Sequence, residues 1–520
     1  MIRVRQLKIK LNDSIEDELI KKLKIKKDEI INIEIVKESI DSRKKPDIYL
    51  VYELLVTLKN ESKIKLSDDI FISCKEKYEY KPKGSIKLNK RPIIVGAGPA
   101  GLFMAYNLAL NGYNPIIVER GKKVEERIKD VEKFFNEGVL DEHSNVCFGE
   151  GGAGTFSDGK LNTMVKDPKG RIAFVLETFV KFGAPKEILY KAKPHIGTDI
   201  LRSVIKSLRE EIIKLGGEFR FETCLNDIEI KDGKIKRVLL NENYVDTDVL
   251  VLGIGHSARD TFYMLNKYLK MEAKPFALGI RIQHTQKMID ESQYGKTIDK
   301  LGPASYKLTY QTSKGRGVYT FCMCPGGYVV NSSSEQGYLS INGMSNFKRD
   351  TSNANSAIIV TVSPSDFGTS PLSGIEFQRD LERKAFEIGN GLIPTQLYED
   401  FKNKKESTSF KSVSPVFKGG YTFKDLNKIL PDYICDALKE GIDAFGYRIK
   451  GFSNGDAILS AIESRTSSPV KILRDENAVS IEGVYPIGEG AGYAGGITSA
   501  AVDGLKSSEY IMDKYIACFK

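Results

Sequence analysis

Gly96-Ala97-Gly98-Pro99-Ala100-Gly101 is the first run in this chain whose residue types and spacing could do chemistry. Glycine at these positions permits a tight turn (Gly96), close approach of backbone to a pyrophosphate (Gly98) and tight packing of a following helix (Gly101). Pro99 and Ala100 open that helix, and its unpaired N–H groups and positive dipole end suit an anion. A GxGxxG run alone carries little weight among 46 Gly, so the context decides. The short apolar strand Pro92-Ile93-Ile94-Val95 enters the turn, and a helix from Leu102 to Leu110 leaves it. A second apolar strand, Pro115-Ile116-Ile117-Val118, ends on Glu119-Arg120. Glu119, 18 residues after Gly101, stands where a carboxylate accepts both ribose hydroxyls of an adenosine and repels a 2′-phosphate; Arg120 joins it in the predicted cofactor set.

Two further glycine clusters belong to the same chemistry. Gly149-Glu150-Gly151-Gly152-Ala153-Gly154 matches the pattern, but no apolar strand precedes it, which predicts a loop beside a ligand rather than a second nucleotide turn. Gly152, Gly154, Thr155, Ser157, Asp158 and Lys160 are its expected contacts. Near the C-terminus, Gly488, Glu489, Gly495 and Gly496 precede Ile497, the start of a helix whose N–H groups could face the negative charge of a reduced flavin. A site with two such ends suits FAD better than the shorter NAD. Gly255, His256 and Arg259 follow the apolar strand Val249–Leu252 and are read as flavin contacts, with a structural turn as the even alternative.

Four residues are candidates for catalysis. Cys322 and Cys324, in Cys322-Met323-Cys324-Pro325, could form a disulfide or offer a thiolate to a flavin. Strand alternation favours ordinary packing, because i and i+2 share a face. His195 is a proton donor or a turn-ordering residue, and Arg465 is a binder of anionic substrate or part of a helix end. No metal ligand set is read.

The elements that must position these residues predict an α/β fold. It comprises a small N-terminal α/β domain (1–85), a discontinuous Rossmann-like FAD-binding domain (88–275 and 441–520) and an inserted α+β domain (276–440). In the first, Ser14 caps a short helix after an alternating strand at residues 2–11, and strand-like runs Ile30–Val36 and Ile48–Leu58 flank the basic turn Ser42–Pro46. Thr198-Asp199 is expected to cap a helix reaching Leu215, and Asp232-Gly233 to turn a hairpin.

At 520 residues, with 41% hydrophobic and 28% charged residues, the composition is globular, and disordered or fibrous classes are excluded. Charged residues interrupt the place where a signal peptide needs an apolar run, and no segment approaches the ~20 residues of a membrane span. Seven Cys without a CxxC pair fit a reducing cytoplasm. Of the net charge of +9, residues 1–90 hold +6. That excess motivates an alternative in which a basic N-terminal module binds RNA, although 16 acidic residues are mixed into the same stretch.

Together, Ser39–Lys45, Val95–Gly101, Gly149–Leu161, Lys193–Asp199, Gly255–Thr261, Phe321–Gly327, Glu463–Pro469 and Gly488–Gly496 resemble a bacterial family of FAD-dependent (NAD(FAD)-utilising) dehydrogenases in the glutathione-reductase-type flavoprotein superfamily. The resemblance implies an accessory N-terminal domain, a discontinuous FAD domain and an inserted domain over the flavin. It names no substrate. Glu489 replaces the usual Asp, and Gln283 and Thr285 stand where Glu and Pro are expected. The expected function is therefore an FAD-dependent oxidoreductase passing electrons between a reductant such as NAD(P)H and a small molecule.

Overall fold

The computed structural model describes residues 1–75, 77–296 and 299–517. Its organising element is a five-stranded parallel sheet in the order Val484–Pro486, Leu250–Leu252, Ile93–Val95, Ile116–Val118, Glu218–Arg220. The central three strands are apolar and buried throughout, as a parallel sheet covered on both faces requires. Helix Pro99–Leu110 has no polar face and is buried over ten residues, Ala100 to Ala109. It is wedged between the sheet and helices Thr198–Lys214 and Ile497–Lys514. Gly504 makes the last contact possible, since a Cβ there would lie 2.2 Å from the Ala100 carbonyl oxygen.

A three-stranded antiparallel ribbon (Leu225–Lys231, Lys234–Leu240, Asn243–Asp246) packs on the sheet's opposite face. Its first turn has φ of 53° at Asp232 and 74° at Gly233, the two positive angles that match hairpin twist. Helix Thr198–Lys214 follows a Gly197 cap, and Thr198 Oγ1 donates to the Thr155 carbonyl at 2.6 Å. The expected hydroxyl cap is corrected accordingly: Thr198 is spent on the neighbouring loop.

The inserted body is built on a seven-stranded sheet. Its order is Thr309–Gln311, Gly317–Cys324, Asn353–Val362, Phe276–Thr285, Ile458–Glu463, Ile393–Leu397, Tyr421–Phe423. Ile458–Glu463 belongs to this sheet, which corrects the expected return to the nucleotide fold at residue 441. Fully buried on both faces, this strand reads as one more apolar run and carries no period to distinguish it.

Residues 1–72 form a four-stranded antiparallel sheet, ordered Ile30–Lys44, Asp47–Leu58, Ile2–Lys10, Ile70–Ile72, with helix Ile15–Leu23 against it. This unit docks through Glu38, whose backbone pairs with Tyr190 and Ala192 and whose carboxylate takes Lys191 Nζ at 2.7 Å. Many of its cations meet its own acids: Arg3 and Arg5 on Glu53, Lys8 and Arg43 on Asp41, Lys27 on Glu16. Among the described residues no helix is long and apolar enough to cross a membrane.

Candidate functional site

The carboxyl ends of the parallel strands open on a cleft, where ligands of open α/β sheets bind. The first glycine turn forms one wall, and its glycines divide three tasks. Gly96 has φ 101°, and a Cβ there would lie 2.3 Å from the Gly253 carbonyl. Gly101 seats the helix, since its Cβ would approach the Gly96 oxygen to 2.0 Å. Gly98 faces the cleft, where a Cβ would meet only the Gly152 Cα, at 3.9 Å.

The Gly149–Gly154 loop lies against this turn, with Gly151 N–H donating to the Ala97 carbonyl at 2.8 Å. Glu119 fastens the two together. Its Oε2 accepts from Ala97 N–H at 2.9 Å, and its Oε1 from Gly121 and Gly149 N–H at 3.0 and 3.1 Å. Three of a carboxylate's about four acceptor positions are thereby used, leaving room for one ligand hydroxyl rather than the expected two.

Arg127 completes the loop from inside. Fully buried, it donates to the carbonyls of Asn145, Val146, Gly149, Glu150 and Gly152 at 2.7–3.1 Å. Burial pushes its guanidinium down to about 10. Sequence reasoning passed over it. The signal was a cation three residues after Val124 and four before Val131, on the apolar stripe of helix Val124–Glu137.

The opposite wall is the start of helix Ile497–Lys514, 18 residues long, with Gly496 at its cap. A Cβ on Gly255 or Gly496 would meet nothing within 4 Å, so their absent side chains leave cleft space. His256 Nδ1 lies 3.6 Å from Glu489 Oε2 on the same wall. Arg120 stacks 4.5 Å over Phe148 and donates to Asp260 and Thr261 at 2.9 Å. This elongated cradle, with helix N-termini on two sides and side-chain-free positions at Gly98, Gly255 and Gly496, fits a dinucleotide.

At the inserted-domain end, the lining is Asp158, Lys160, Phe321, Cys322, Asn342, Glu463 and Arg465. Asp158 is buried but held down at about 2 by Lys160 and Arg349, which outweigh burial. Lys160 lies 3.3 Å from it and also donates to the Met323 carbonyl. Burial pushes the Glu463 carboxyl up to about 7, against the opposing charge of Arg281, which it meets at 2.6 and 3.1 Å.

The structure brings most of the sequence-chosen residues to the cleft, including Pro99, Ala100, Gly154, Ser157, Gly488 and Ile497. Six lie outside its lining. Gly101 packs, Thr155 is buried, and Gly495 is exposed outside the lining. Cys324 is fully buried. His195 stacks on Phe347 and hydrogen-bonds its carbonyl at 2.9 Å, and burial lowers its pKa, so it stays neutral. Arg259 turns away, pairing with Glu382 at 2.7 and 2.9 Å and with Glu335 at 2.8 Å; the expected flavin contact is corrected to a clamp between the two bodies. Arg465, at the cleft, shares the same Glu382 carboxylate at 2.8 and 3.0 Å. Asp158 lies at the cleft with the rest of its loop, whereas Asn342 and Glu463 were missed as site residues, although Glu463 lies inside a motif that the sequence singles out.

Residues 275–466 match the family model "FAD-dependent protein, C-terminal domain-like", and residues 1–57 match a domain of unknown function. A protein of Clostridium beijerinckii, described as an uncharacterized protein, is 49% identical over 530 residues and covers 99% of both chains. Solved structures are remote. Quinol fumarate reductase of E. coli gives a TM-score of 0.37 at 11% identity, covering 82% of this chain and 70% of that one. L-proline dehydrogenase from P. horikoshii gives 0.34 at 12%, covering 83% and 94%. Glycerol-3-phosphate dehydrogenase from Bacillus halodurans, complexed with FAD, gives 0.34 at 9%, covering 81% and 64%. By the full-length match, the chain belongs to the family of the Clostridium beijerinckii protein, and within it residues 275–466 carry the FAD-dependent protein C-terminal domain.

Proposed function

We propose that the protein is an FAD-dependent oxidoreductase acting on a small molecule that enters at the inserted-domain end of the cleft. The observation that carries this reading is the cradle between Gly98, Gly152 and Gly496, bounded by two helix N-termini and joined to a domain of FAD-dependent type. FAD, when bound, supplies two-electron transfer. Backbone N–H groups at Gly98–Gly101 and at the Ile497 helix start receive its negative charge. Glu119 keeps both glycine loops in register and offers its remaining acceptor position to a hydroxyl. Lys160, Asn342 and Arg465 furnish donors for a substrate, and Glu463, poised near neutrality, is the group able to hold or release a proton.

A nicotinamide nucleotide donor and the RNA alternative are not carried forward. Four cations of the N-terminal strands, Arg3, Arg5, Lys8 and Arg43, are engaged with Glu53 and Asp41, which takes them out of the charged stripe that a nucleic acid needs. Purified protein should be yellow and should release FAD on denaturation, and Glu119→Ala should weaken retention. Colourless protein that takes up no added FAD would overturn the reading.

A further inference from the structure

Strand Gly317–Cys324 does not keep the alternation its sequence suggests. Phe321 pairs with Ala357 and Cys324 with Asn355, so Cys322 and Met323 oppose the single residue Ser356. This is a bulge, and Cys322 carries it at φ 41°, a conformation unusual for a side-chain-bearing residue. The bulge turns Cys322 to the cleft beside Phe321, which is 40% exposed, while Cys324 stays buried behind it. Cys324 Sγ lies 3.3 Å from the Cys322 carbonyl oxygen, and both thiols are free. Two cations grip this short segment: Lys160 on the Met323 carbonyl and Arg281 Nη1 on the Cys322 carbonyl at 3.3 Å.

Resting on the flavoprotein reading above, we propose that Cys322 and Cys324 are a redox-active dithiol that exchanges an electron pair with the bound flavin, and that the substrate is a small disulfide. The division of labour follows from position. Interaction with the Cys324 side chain, aided by Lys160 and Arg281, holds the Cys322 thiol well below its usual range, while the same side-chain interaction and burial push Cys324 up. The cleft-lining member is therefore the nucleophile and the buried one the resolving thiol.

The chemistry balances. The Cys322 thiolate attacks one sulfur of the disulfide, an S–S bond forms to Cys322, and the first thiolate departs and takes a proton from solvent. Cys324 attacks the Cys322 sulfur and its proton passes to the second leaving thiolate, releasing the second thiol and leaving a Cys322–Cys324 disulfide. That disulfide accepts two electrons from the reduced flavin, its S–S bond breaks, and Cys324 is reprotonated. The sum is one disulfide reduced to two thiols for each reduced flavin oxidised.

Anaerobic titration of the oxidised, yellow holoprotein with dithionite tests this. Wild type should take up two electron pairs per flavin, and Cys322→Ser and Cys324→Ala one pair each. In the oxidised protein the tryptic peptide holding both cysteines should resist alkylation and weigh two hydrogens less than in the reduced protein. Reduced wild type mixed with cystine should regain flavin absorbance at least tenfold faster than Cys322→Ser. Yellow wild-type protein that takes up a single pair, or keeps both thiols alkylatable after oxidation, would overturn the dithiol alone. Equal reoxidation of wild type and variant by cystine would overturn the disulfide substrate. Protein unable to bind FAD would overturn the flavoprotein reading beneath both.

Discussion

Arg127 and Gly149 occupy each other's space: the Arg127 Nη1 donates to the Gly149 carbonyl at 3.1 Å, and a Cβ on Gly149 would stand 2.4 Å from Arg127 Cδ. The bend at residue 149, with φ 115°, is thus shaped around a buried cation whose partners are backbone oxygens.

Arg127→Met keeps much of the side-chain volume and removes all five donors. Buried carbonyls left without partners cost about 1–3 kcal/mol each, with partial relief where water enters. Denaturant unfolding should show a loss of at least ~3 kcal/mol, and FAD retention should fall with it. Gly149→Ala should reproduce much of the effect by steric conflict.

Gly98→Ala separates ligand from fold. Gly98 has φ −77°, which alanine adopts freely, and the added methyl meets only Gly152 Cα, at 3.9 Å. Apoprotein melting should stay within ~0.5 kcal/mol of wild type. FAD affinity, followed by flavin fluorescence, should fall at least about tenfold.

Glu382 holds two buried guanidinium groups, Arg259 and Arg465, and despite burial they keep its carboxyl well below the usual range. Its contribution to stability is present above the unfolded value of ~4.3 and declines as pH drops below it toward the folded one. Wild type should lose stability as pH is lowered below about 5, and Glu382→Gln should flatten that limb. At pH 7 the variant should be less stable by ~3–5 kcal/mol, the cost of stranding buried charge.

Glu150 behaves oppositely. Burial, opposed by Arg209, pushes its carboxyl up to about 7, and Oε1 has no hydrogen-bond partner, with Arg209 Nε 3.3 Å away. A raised folded pKa gives stability that is complete below the unfolded value and lost as pH rises through about 7. Unfolding at pH 5 and pH 8 should therefore differ by up to ~3 kcal/mol from this group, and Glu150→Gln should shrink the difference.

The nucleotide-binding half was readable because its signals are local: strand, glycine turn, helix and acid follow one another from Pro92 to Glu119. The Asp232-Gly233 hairpin was readable for the same reason. Ile458–Glu463 was not, because a strand buried on both faces looks alike in either sheet. Arg259 and Arg465 looked like ligand-side cations until Glu382, more than a hundred residues from Arg259 in sequence, was found between them. The different placements of Cys322 and Cys324 were obscured by a bulge, since one extra residue reverses which side chain faces the cleft, and no local composition marks it.

The sheet that floors the cleft takes its edge strand, Val484–Pro486, and its anion-facing helix, Ile497–Lys514, from the far end of the chain. During synthesis, the ribosome must add the 232 residues separating Leu252 from Val484 before that strand can pair. At roughly 5–20 residues per second this is on the order of 10–50 s, in which Leu250–Leu252 presents an open edge and the inserted body can fold first. Cofactor capture is in this way deferred to the end of translation, and a chain truncated before Val484 would hold a folded cover over an unfinished floor.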